Sequence, residues 1–422
     1  SHSESFPETK KQSKLHKLTS TLITIIAGIG LFFMLVTGVY YACCHLFKYT
    51  LNGWLNPYVF ISLFGMLTTI YVALIHMSKK YKETNQYQFI LFTYCCAVLL
   101  LCFLFMVQFS GNWGPIIMPL ETGSQIVIYT FIAQNIKLNV SYNGVNTTFE
   151  SYGRKHHVFV PHRQFDLYFN EQKTSFNINK INSFIFISDN HNQPGIKKFQ
   201  NSDVDLVLSA GDNSNDGFLQ DFYAFFKDYP TEKPFLTAMG NHDRRMNEDI
   251  YGFDYRYYYT QIDKIGFYFV TVQNRAIDAI ITKEDVDLSV EFLKNNIHQD
   301  DSIRILVVHA PMYPSNIKNI NKEYYINKFE EILDQYKFDF VLSGHTHVFA
   351  SFKRNSVPLI TTSTAGGNPS SFYKNFTRRG MEYFVDSIDN TRSYIKFTRD
   401  EAGNTFQASV LSMENDEELK KL

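Results

Sequence analysis

The sequence predicts a layered α/β domain over residues 181–411, preceded by a short β-rich segment and by three membrane-spanning helices. Two observations carry this prediction. Apolar residues crowd the first quarter of the chain in long stretches without Asp, Glu, Lys or Arg. From residue 181 onward, short apolar strands alternate with stretches whose apolar residues recur at helical spacing, a pattern typical of layered α/β domains.

The chain has 422 residues, which favours two or three structural units. Its formal net charge is -1, which argues against a nucleic-acid partner, because such proteins usually carry a broad basic surface. All five cysteines lie in the apolar first quarter, at Cys43, Cys44, Cys95, Cys96 and Cys102. The later part of the chain therefore has no disulfide framework, and any metal there must be held by nitrogen and oxygen ligands.

The three candidate spans are residues 20–46, 57–77 and 88–110. Each is near or above the roughly 20 residues that a helix needs to cross a bilayer core. They predict a three-helix membrane anchor over residues 20–111. Two alternatives remain open: the first span could be a cleaved signal peptide, and the three stretches could be helices of a buried soluble core.

Lysine residues decide the predicted orientation of the spans. Those before the first span are Lys10, Lys11, Lys14 and Lys17, and those after the second are Lys79, Lys80 and Lys82. Cytoplasmic loops carry the excess of positive charge, so residues 1–19 are interpreted as a cytoplasmic tail. The third span then delivers residues 111–422 to the extracellular, periplasmic or lumenal side.

Residues 112–180 contain short alternating segments, such as SQIVIYTFI and FDLYF, bounded by turn residues. This pattern predicts a small β-sandwich or a β-rich linker. Asn139, Asn146 and Asn375 lie in N-x-Ser/Thr sequons, which suit a lumenal or extracellular face but also arise by chance in an Asn-rich chain.

The α/β domain contains five predicted strands and three predicted helices. The strands are residues 183–188, 205–210, 234–239, 304–308 and 338–343, and the helices are residues 216–229, 283–297 and 322–336. Ligands of such folds bind outside the carboxyl ends of the strands. Residues 412–422 are rich in charge and are predicted to form a C-terminal tail.

Polar motifs stand at the ends of all five strands. They are Asp189-Asn190-His191, Gly211-Asp212-Asn213, Gly240-Asn241-His242-Asp243, His309 and Gly344-His345-Thr346-His347. In the first and last motifs, two candidate ligands are separated by one residue. In extended backbone, residues at this spacing point to the same side, so each pair can converge on one point. The glycines would let the backbone turn where each strand stops.

These motifs offer carboxylate, imidazole and amide groups but no thiolate, a set that suits Mn, Fe or Zn better than Ca. A carboxylate has two oxygens and can bridge two cations about 4 Å apart, the usual spacing of two-metal sites. Two such cations neutralise phosphate charge and lower the pKa of a bound water. The sequence therefore predicts a site for two divalent or transition metal ions.

The motif order D-x-H, G-D, G-N-H-D, apolar-H and G-H-x-H resembles the calcineurin-like metallophosphoesterase superfamily over residues 181–411. Members share a β-sandwich core flanked by helices, so the resemblance implies a four-layer αββα sandwich. It also implies metal ligands by position: Asp189, His191 and His347 for a first ion, Asn241, His309 and His345 for a second, and Asp212 as the bridge. By the same resemblance, His242, with Asp243 beside it, matches the catalytic residue that steadies or protonates the leaving group.

The finer sequence context is similar to the purple acid phosphatase branch of that superfamily. Residues 309–314 (HAPMYP) and 364–371 (TAGGNPSS) resemble active-site loops of the branch, and the β-rich segment resembles its fibronectin-like N-terminal domain. Asn215 stands where the branch has a tyrosine, and His191 is an additional candidate ligand. The resemblance therefore does not imply a tyrosinate-to-iron colour, and it disfavours ferric iron.

Other histidines and aromatic residues are interpreted as structural. His156, His157 and His162 are expected in a solvated loop and not in a third metal site. Tyr313 and the tyrosines of residues 255–259 could line a substrate cleft, but packing is the commoner role of such residues.

The sequence as a whole predicts an integral membrane phosphoesterase that acts on the non-cytoplasmic side by attack of a metal-bridged hydroxide. The substrate would be a phosphate ester, either a small molecule or a lipid headgroup, and the sequence does not separate monoesters from diesters. The alternative is a non-catalytic subunit of a membrane assembly that retains the fold. In both cases the spans contact the lipid bilayer and could bind membrane-protein partners.

Overall fold

The computed structural model describes residues 112–422 apart from residues 216, 218, 244–249, 274–279, 314–320 and 372–377. The predicted cytoplasmic tail (residues 1–19), the three predicted spans and the sequon at Asn375 lie outside the described residues. None of the helices in the described ranges has both the length and the apolar composition of a membrane span. Gly111–Leu422 form one compact unit.

The β-rich segment forms one five-stranded antiparallel sheet. Its strands are β1 (Asn112–Leu120), β2 (Gly123–Tyr142), β3 (Val145–Val160), β4 (Gln164–Phe169) and β5 (Gln172–Asn177). The order is β1-β2-β4-β5, with β3 paired to β2. The predicted segment SQIVIYTFI is only the first half of the long β2, whose pairing with β3 shifts register between Tyr129 and Gln134. This irregularity separates the part of β2 that pairs with β1 from the part that pairs with β4.

Within the described residues, two mixed sheets and three α-helices form the rest of the unit. The strands are β6 (Ser183–Ile187), β7 (Leu206–Ser209), β8 (Phe235–Thr237), β9 (Tyr258–Ile262), β10 (Ile265–Val270), β11 (Ile303–Val308), β12 (Phe340–Ser343), β13 (Phe349–Arg354), β14 (Val357–Thr361), β15 (Met381–Ile388), β16 (Ser393–Arg399), β17 (Phe406–Ser412) and β18 (Glu418–Lys421). The helices are α1 (Leu219–Asp228), α2 (Lys283–Asn296) and α3 (Lys322–Gln335), and a 3-10 helix spans Ile196–Asn201. The larger sheet has the order β15-β13-β14-β12-β11-β10-β9, and the smaller has the order β18-β17-β16-β6-β7-β8.

The two sheets pack face to face through aromatic side chains. Phe184 of β6 stacks on Phe397 of β16, its neighbour in the smaller sheet, with ring centroids 4.6 Å apart. Across the interface, Phe184 meets Phe267 of β10 in the larger sheet edge-on at 6.2 Å. Phe397 also contacts Phe340 of β12 at 5.4 Å. Burial of each such ring contributes roughly 1.5–3 kcal/mol. This core fixes the sheets relative to each other, and with them the strand ends that carry the polar motifs.

Helices α2 and α3 cover the other face of the larger sheet. Side chains alternate across β10, so that Tyr268 and Val270 lie opposite to Phe267 and join a separate buried cluster. Leu293 of α2 and Phe329 of α3 pack into that cluster. The predicted layered α/β architecture is therefore confirmed.

On the smaller sheet, the 3-10 helix and α1 contribute further contacts. Phe199 of the 3-10 helix contacts Tyr394 of β16 at 4.9 Å, and Phe225 of α1 contacts Phe235 of β8 at 5.5 Å.

All five predicted strands and all three predicted helices are confirmed, as β6, β7, β8, β11 and β12 and as α1, α2 and α3. The prediction of a charged tail over residues 412–422 is wrong, because Glu418–Lys421 form β18 and pair with β17. The segment shows no apolar alternation because it is an edge strand, where charged side chains are common.

The β-rich sheet packs against the α/β domain and is not a free linker. Tyr129 of β2 stacks on Phe226 of α1 with centroids 5.1 Å apart, and its hydroxyl donates to the carbonyl of Ile250. Arg163, between β3 and β4, donates from Nη1 to the carbonyl of Gln261 on β9. The linker interpretation is therefore wrong, whereas the resemblance to a fibronectin-like domain stays a prediction.

Candidate metal centre

The polar motifs meet at one edge of the sandwich. Asp189 and Asp212 follow the neighbouring parallel strands β6 and β7, and His309 follows β11 in the larger sheet. Strands β7 and β8 are also parallel, as are β11 and β12. Carboxyl ends of parallel strands emerge at the same edge of a sheet, and here the edges of the two sheets adjoin. The residues predicted as metal ligands lie there, in two groups with Asp212 between them.

The first group contains Asp189, His191 and His347, whose ligand atoms lie within 4.8 Å of one another. Asp189 Oδ1 is 3.3 Å from His347 Nε2 and 3.9 Å from His191 Nε2. The two imidazole nitrogens are 3.1 Å apart. Asp189 is fully buried, and His191 is nearly so.

The second group is centred on His309, which is also buried. Its Nε2 lies 3.2 Å from Asp212 Oδ2, 3.2 Å from Asn241 Oδ1 and 3.2 Å from His345 Nδ1. Asp212 Oδ2 is in turn 3.9 Å from His191 Nε2 of the first group. One carboxylate oxygen therefore faces both groups.

Left-handed backbone produces this convergence. The φ angles are 54° at Asp189, 49° at His191, 52° at Asp212, 72° at His345 and 55° at His347. The sequence-based reason for convergence, extended backbone at i and i+2, is therefore wrong. Asp, Asn and His populate this region more readily than other non-glycine residues, and such strained positions concentrate at functional sites.

Two glycines permit the close approach of the loops. Gly211 itself has a φ of 103°, as predicted for a turn at the strand end. Gly240 has ordinary backbone, but a Cβ there would overlap Oδ1 of Asp212. The space that Gly240 leaves open is therefore needed for the carboxylate between the two groups.

Backbone carbonyls fix the orientation of two imidazoles. His309 Nδ1 donates to the carbonyl of Ala210 at 2.9 Å, and His347 Nδ1 donates to the carbonyl of Asn368 at 2.7 Å. In each ring this directs Nε2 at the centre of its group, as such partners do in metal sites. Neither partner was predicted from the sequence, because a carbonyl group carries no residue-type signal.

The oxygen and nitrogen atoms of the two groups are suited to bind cations. Asp189 Oδ1 is buried, and no described residue gives it a hydrogen bond of good geometry, although His347 Nε2 lies 3.3 Å away. His191 Nδ1 is likewise buried without a hydrogen-bond partner in the described ranges. Close pairs of imidazole nitrogens beside buried carboxylates require a proton or a metal ion between them. Nitrogen and oxygen ligands of this kind suit Mn, Fe or Zn.

The charges in the centre oppose the effect of burial. Burial lowers the pKa of His309, but the carboxylates of Asp212 and Asp189 outweigh it and raise the pKa to about 9. Burial likewise lowers the pKa of His347, whereas Asp189 raises it to about 9. Burial would raise the pKa of Asp189 and Asp212, but the surrounding histidines hold both far below the ordinary value. Burial and the charge of His309 lower the pKa of His345 to about 4.

His242 lies at the open side of the centre, with 36% of its side chain exposed. Its Nε2 is 4.0 Å from Asp212 Oδ2, and its backbone N donates to Asp212 Oδ1 at 2.8 Å. Its Nδ1 donates to the carbonyl of Asn215, in the loop after β7. This hydrogen bond orients the ring, so that Nε2 is accessible to a substrate.

Asp243 was predicted as a catalytic partner of His242, but its carboxylate is fully buried below the loop. It accepts hydrogen bonds from Ser214 N at 2.9 Å, from Ser214 Oγ at 3.0 Å and from Gly240 N at 3.2 Å. Burial and the charge of Asp212 raise the pKa of Asp243 to about 6. These contacts join the loops after β7 and β8, so they favour a positioning role for Asp243.

Gln273 was not singled out in the sequence. It is buried, and its Nε2 lies 3.4 Å from Nε2 of His345. The signal was available, because Gln273 follows the apolar segment IGFYFV of β10 as the other motifs follow their strands.

The three histidines of the β-rich segment do not form a solvated loop. His156 is fully buried on β3, with Nδ1 3.0 Å from Ser151 Oγ, and His157 Nε2 lies 3.3 Å from the carbonyl of Ile250. His162 stacks on Tyr142. Their places come from tertiary packing, and none joins the metal centre.

The tyrosines that were candidates for a substrate cleft pack in the core. Tyr258 is buried and donates to the carbonyl of Thr237, and Tyr313 is buried and donates to Glu330.

Residues 182–349 match the calcineurin-like phosphoesterase family. A probable cyclic nucleotide phosphodiesterase from Vesicomyosocius okutanii subsp. Calyptogena okutanii is 26% identical over 200 residues, which are 45% of this chain and 81% of the relative. The matched family range begins before Asp189 and ends after His347, so it contains every predicted metal ligand.

Among solved structures, the purple acid phosphatase PPD1 from yellow lupin seeds matches with a TM-score of 0.54 and 12% identity over 74% of each chain. At this identity the match shows a shared fold. GAP50, the anchor in the inner membrane complex of Plasmodium, matches with a TM-score of 0.42 and 14% identity over 57% of this chain and 88% of that chain.

Proposed function

We propose, on the premise that residues 182–349 form a calcineurin-like phosphoesterase domain, that this chain is a metal-dependent hydrolase of phosphate esters. The observation that carries the proposal is the position of Asp212. Its Oδ2 lies 3.2 Å from His309 Nε2 in one group of ligand atoms and 3.9 Å from His191 Nε2 in the other. A carboxylate placed between two such groups is the feature that a bridged pair of cations requires.

The proposed cofactors are two ions of the Mn, Fe or Zn type. One would be held by Asp189, His191 and His347, the other by Asn241, His309 and His345, and Asp212 would be shared. When bound, such a pair neutralises the phosphoryl oxygens and activates water for in-line attack. The pKa of Asp189 and that of Asp212 are held far below the ordinary value, so both carboxylates are ionised when cations arrive. The cations would displace the protons that these carboxylates hold on His309 and His347.

His242 is the proposed proton donor to the leaving group. As an imidazolium, it retains the hydrogen bond from Nδ1 to the carbonyl of Asn215 while its Nε2 carries the proton to be transferred. The exposure of the ring and its 4.0 Å separation from Asp212 Oδ2 allow an ester bound beside Asp212 to reach it. Asp243 acts through the loops that it joins and does not touch the ester.

The test is an assay of the detergent-solubilised full chain supplied with Mn²⁺. It compares bis(p-nitrophenyl) phosphate with p-nitrophenyl phosphate, with Asp212→Asn as the inactive reference. The matched control is Asp205→Asn, because Asp205 lies before β7 and accepts hydrogen bonds from the backbone of Asn182 and Ser183, outside the centre.

Each outcome of this assay assigns the protein to a functional class. Faster cleavage of the diester supports a phosphodiesterase and directs the next assays to cyclic nucleotides and lipid-headgroup diesters. Faster cleavage of the monoester supports a phosphatase. Binding of two ions without turnover of either ester contradicts the proposal and supports the non-catalytic subunit.

We also propose that residues 20–46, 57–77 and 88–110 span a membrane and deliver the catalytic domain to its non-cytoplasmic side. The length of these stretches and the lysines that flank them support this arrangement. In sealed vesicles with the cytoplasmic face outward, added protease should remove a tag at the N-terminus and leave residues 111–422 intact. Digestion of that domain before detergent is added would contradict the orientation.

A further inference from the structure

Gln273 stands at the same edge of the sandwich as the metal centre. Strand β10 runs parallel to β11, with Val270 paired to Val308, and the chain continues from these strands to Gln273 and His309 respectively. The backbone of Gln273 forms a bridge with Ile281, and the residue is 1% exposed. Its amide is therefore held in place beside the second group of ligand atoms.

Gln273 contacts one ring nitrogen of His345, and the second ring nitrogen of His345 faces the metal centre. Gln273 Nε2 lies 3.4 Å from His345 Nε2, whereas His345 Nδ1 lies 3.2 Å from His309 Nε2. A neutral imidazole has one N–H, so a free lone pair on Nδ1 requires the hydrogen on Nε2. That hydrogen then needs an acceptor on the side where Gln273 stands.

The amide of Gln273 can supply this acceptor. Oxygen and nitrogen exchange places when the terminal amide rotates by 180°, and the hydrogen-bond pattern decides between the two arrangements. With a cation at Nδ1 of His345, the arrangement that places Oε1 toward the ring satisfies both groups. The alternative places an N–H donor at Nε2 and leaves the hydrogen on Nδ1, where it would block a metal.

We propose that Gln273 is a positioning residue of the metal centre. Its side-chain oxygen accepts a hydrogen bond from the Nε2–H of His345 and so fixes the tautomer of that ring that has a free lone pair on Nδ1. Nδ1 then binds the same ion as Asp212, Asn241 and His309. This inference rests on the proposed two-metal site. It completes a pattern, because the carbonyls of Ala210 and Asn368 orient His309 and His347 in the same way. Gln273 differs from them in acting through a side chain, so its role can be changed by substitution.

The test is a metal titration of the full chain, freed of metal and followed by calorimetry, with two substitutions at Gln273. Gln273→Leu keeps the approximate volume and removes the acceptor, whereas Gln273→Glu keeps an acceptor and has no donor when ionised. Loss of such an outer partner weakens metal affinity about 10–100-fold. We expect that loss for one of the two ions in Gln273→Leu, with the other ion unchanged, and affinity within about threefold of the parent in Gln273→Glu.

A control variant and a spectroscopic readout separate a positioning role of Gln273 from a packing role. Gln261→Leu is the matched control, because Gln261 is a glutamine of β9 whose amide donates to Asp301 outside the centre. It should bind both ions as the parent does. The ¹⁵N shifts of His345 in the metal-free chain should report the Nε2–H tautomer in the parent and in Gln273→Glu, and a mixture in Gln273→Leu.

The proposal is overturned if Gln273→Leu binds both ions with the parent's affinities, or if Gln273→Glu loses as much affinity as Gln273→Leu. A parent chain that binds fewer than two ions would contradict the proposed two-metal function itself. Because the readout is binding, failure to hydrolyse any one ester leaves this test intact.

Discussion

Asp212 and His309 approach to 3.2 Å although they follow strands of different sheets, β7 in the smaller and β11 in the larger. Their contact joins the two edges of the sandwich and brings the two groups of candidate ligands together. The geometry thus depends on the aromatic core that fixes the sheets as much as on the motifs themselves.

Gly240→Ala should disable the centre without changing any ligand. A Cβ at this position would overlap Oδ1 of Asp212, so the carboxylate must move away from one group of ligand atoms. We expect hydrolysis to fall by about 10² or more, since small displacements of positioned groups have effects of this size. Gly144→Ala is the control for a strained glycine substitution away from the centre, because Gly144 has a φ of 77°, which alanine rarely adopts, while its Cβ would meet no neighbour within 4 Å. Equal activity of the two variants would contradict the close approach of Gly240 and Asp212.

His242→Ala should slow hydrolysis of esters with a poor leaving group by about 10²–10⁴ while both ions remain bound. The loss should be largest for esters with a poor leaving group, such as a phenyl or alkyl ester, and small for p-nitrophenyl esters, whose leaving group needs no proton. Rates across a series of leaving groups provide the measurement. His298→Ala is a matched control, because His298 stacks on Tyr259 outside the centre. An equal loss for all leaving groups would exclude proton donation by His242.

Metal uptake should release protons at neutral pH. In the metal-free chain, carboxylates raise the pKa of His309 and of His347 to about 9, so both imidazoles are protonated at pH 7. A metal ligand must be deprotonated, so binding of both ions should expel up to about two protons per chain. Affinity should therefore rise with pH up to about 9 and level off above it. Calorimetry in buffers with different ionisation enthalpies measures the released protons, and release of none would remove these two histidines from the ligand set.

Asp243→Ala should destabilise the domain more than Asp243→Asn does. The carboxylate of Asp243 accepts hydrogen bonds from the backbone N of Ser214 and of Gly240, and alanine leaves these buried donors without a partner. Each such donor costs about 1–3 kcal/mol, whereas asparagine retains one acceptor oxygen. Urea unfolding of the metal-free chain measures the difference. An alanine variant as stable as the parent would show that the loops after β7 and β8 do not depend on Asp243.

The sequence predicted the motif-bearing strands because each is a short apolar run that ends in glycine or in a charged or polar residue. It missed β18, because the segment Glu418–Lys421 carries no apolar alternation and becomes a strand only by pairing with β17. It also misplaced His156, which was predicted in a loop but is buried on β3, with its ring nitrogens beside the hydroxyl groups of Thr130 and Ser151. Tertiary contacts decide such elements, and local pattern does not record them.

For the centre, residue types and their order were enough to nominate the candidate ligands, but not to explain how they converge. The left-handed backbone at Asp189 and His345 depends on loops held from other strands. Asp189 Oδ2, for example, accepts the backbone N–H of His345 at 2.8 Å. The outer partners also escaped prediction: two are carbonyl groups, which no residue type marks, and Gln273 was marked only by its place after the apolar strand β10.

The most direct test of the account is to count metal ions per chain and measure ester hydrolysis on the same samples of the parent and of Asp212→Asn. The account predicts two ions and turnover in the parent, and loss of at least one ion with a fall in rate on the order of 10³ or more in the variant, since a bridged pair of cations contributes several kcal/mol. An Asp212→Asn chain that still binds two ions and hydrolyses at the parent's rate would contradict the bridging role of Asp212 and, with it, the proposed mechanism.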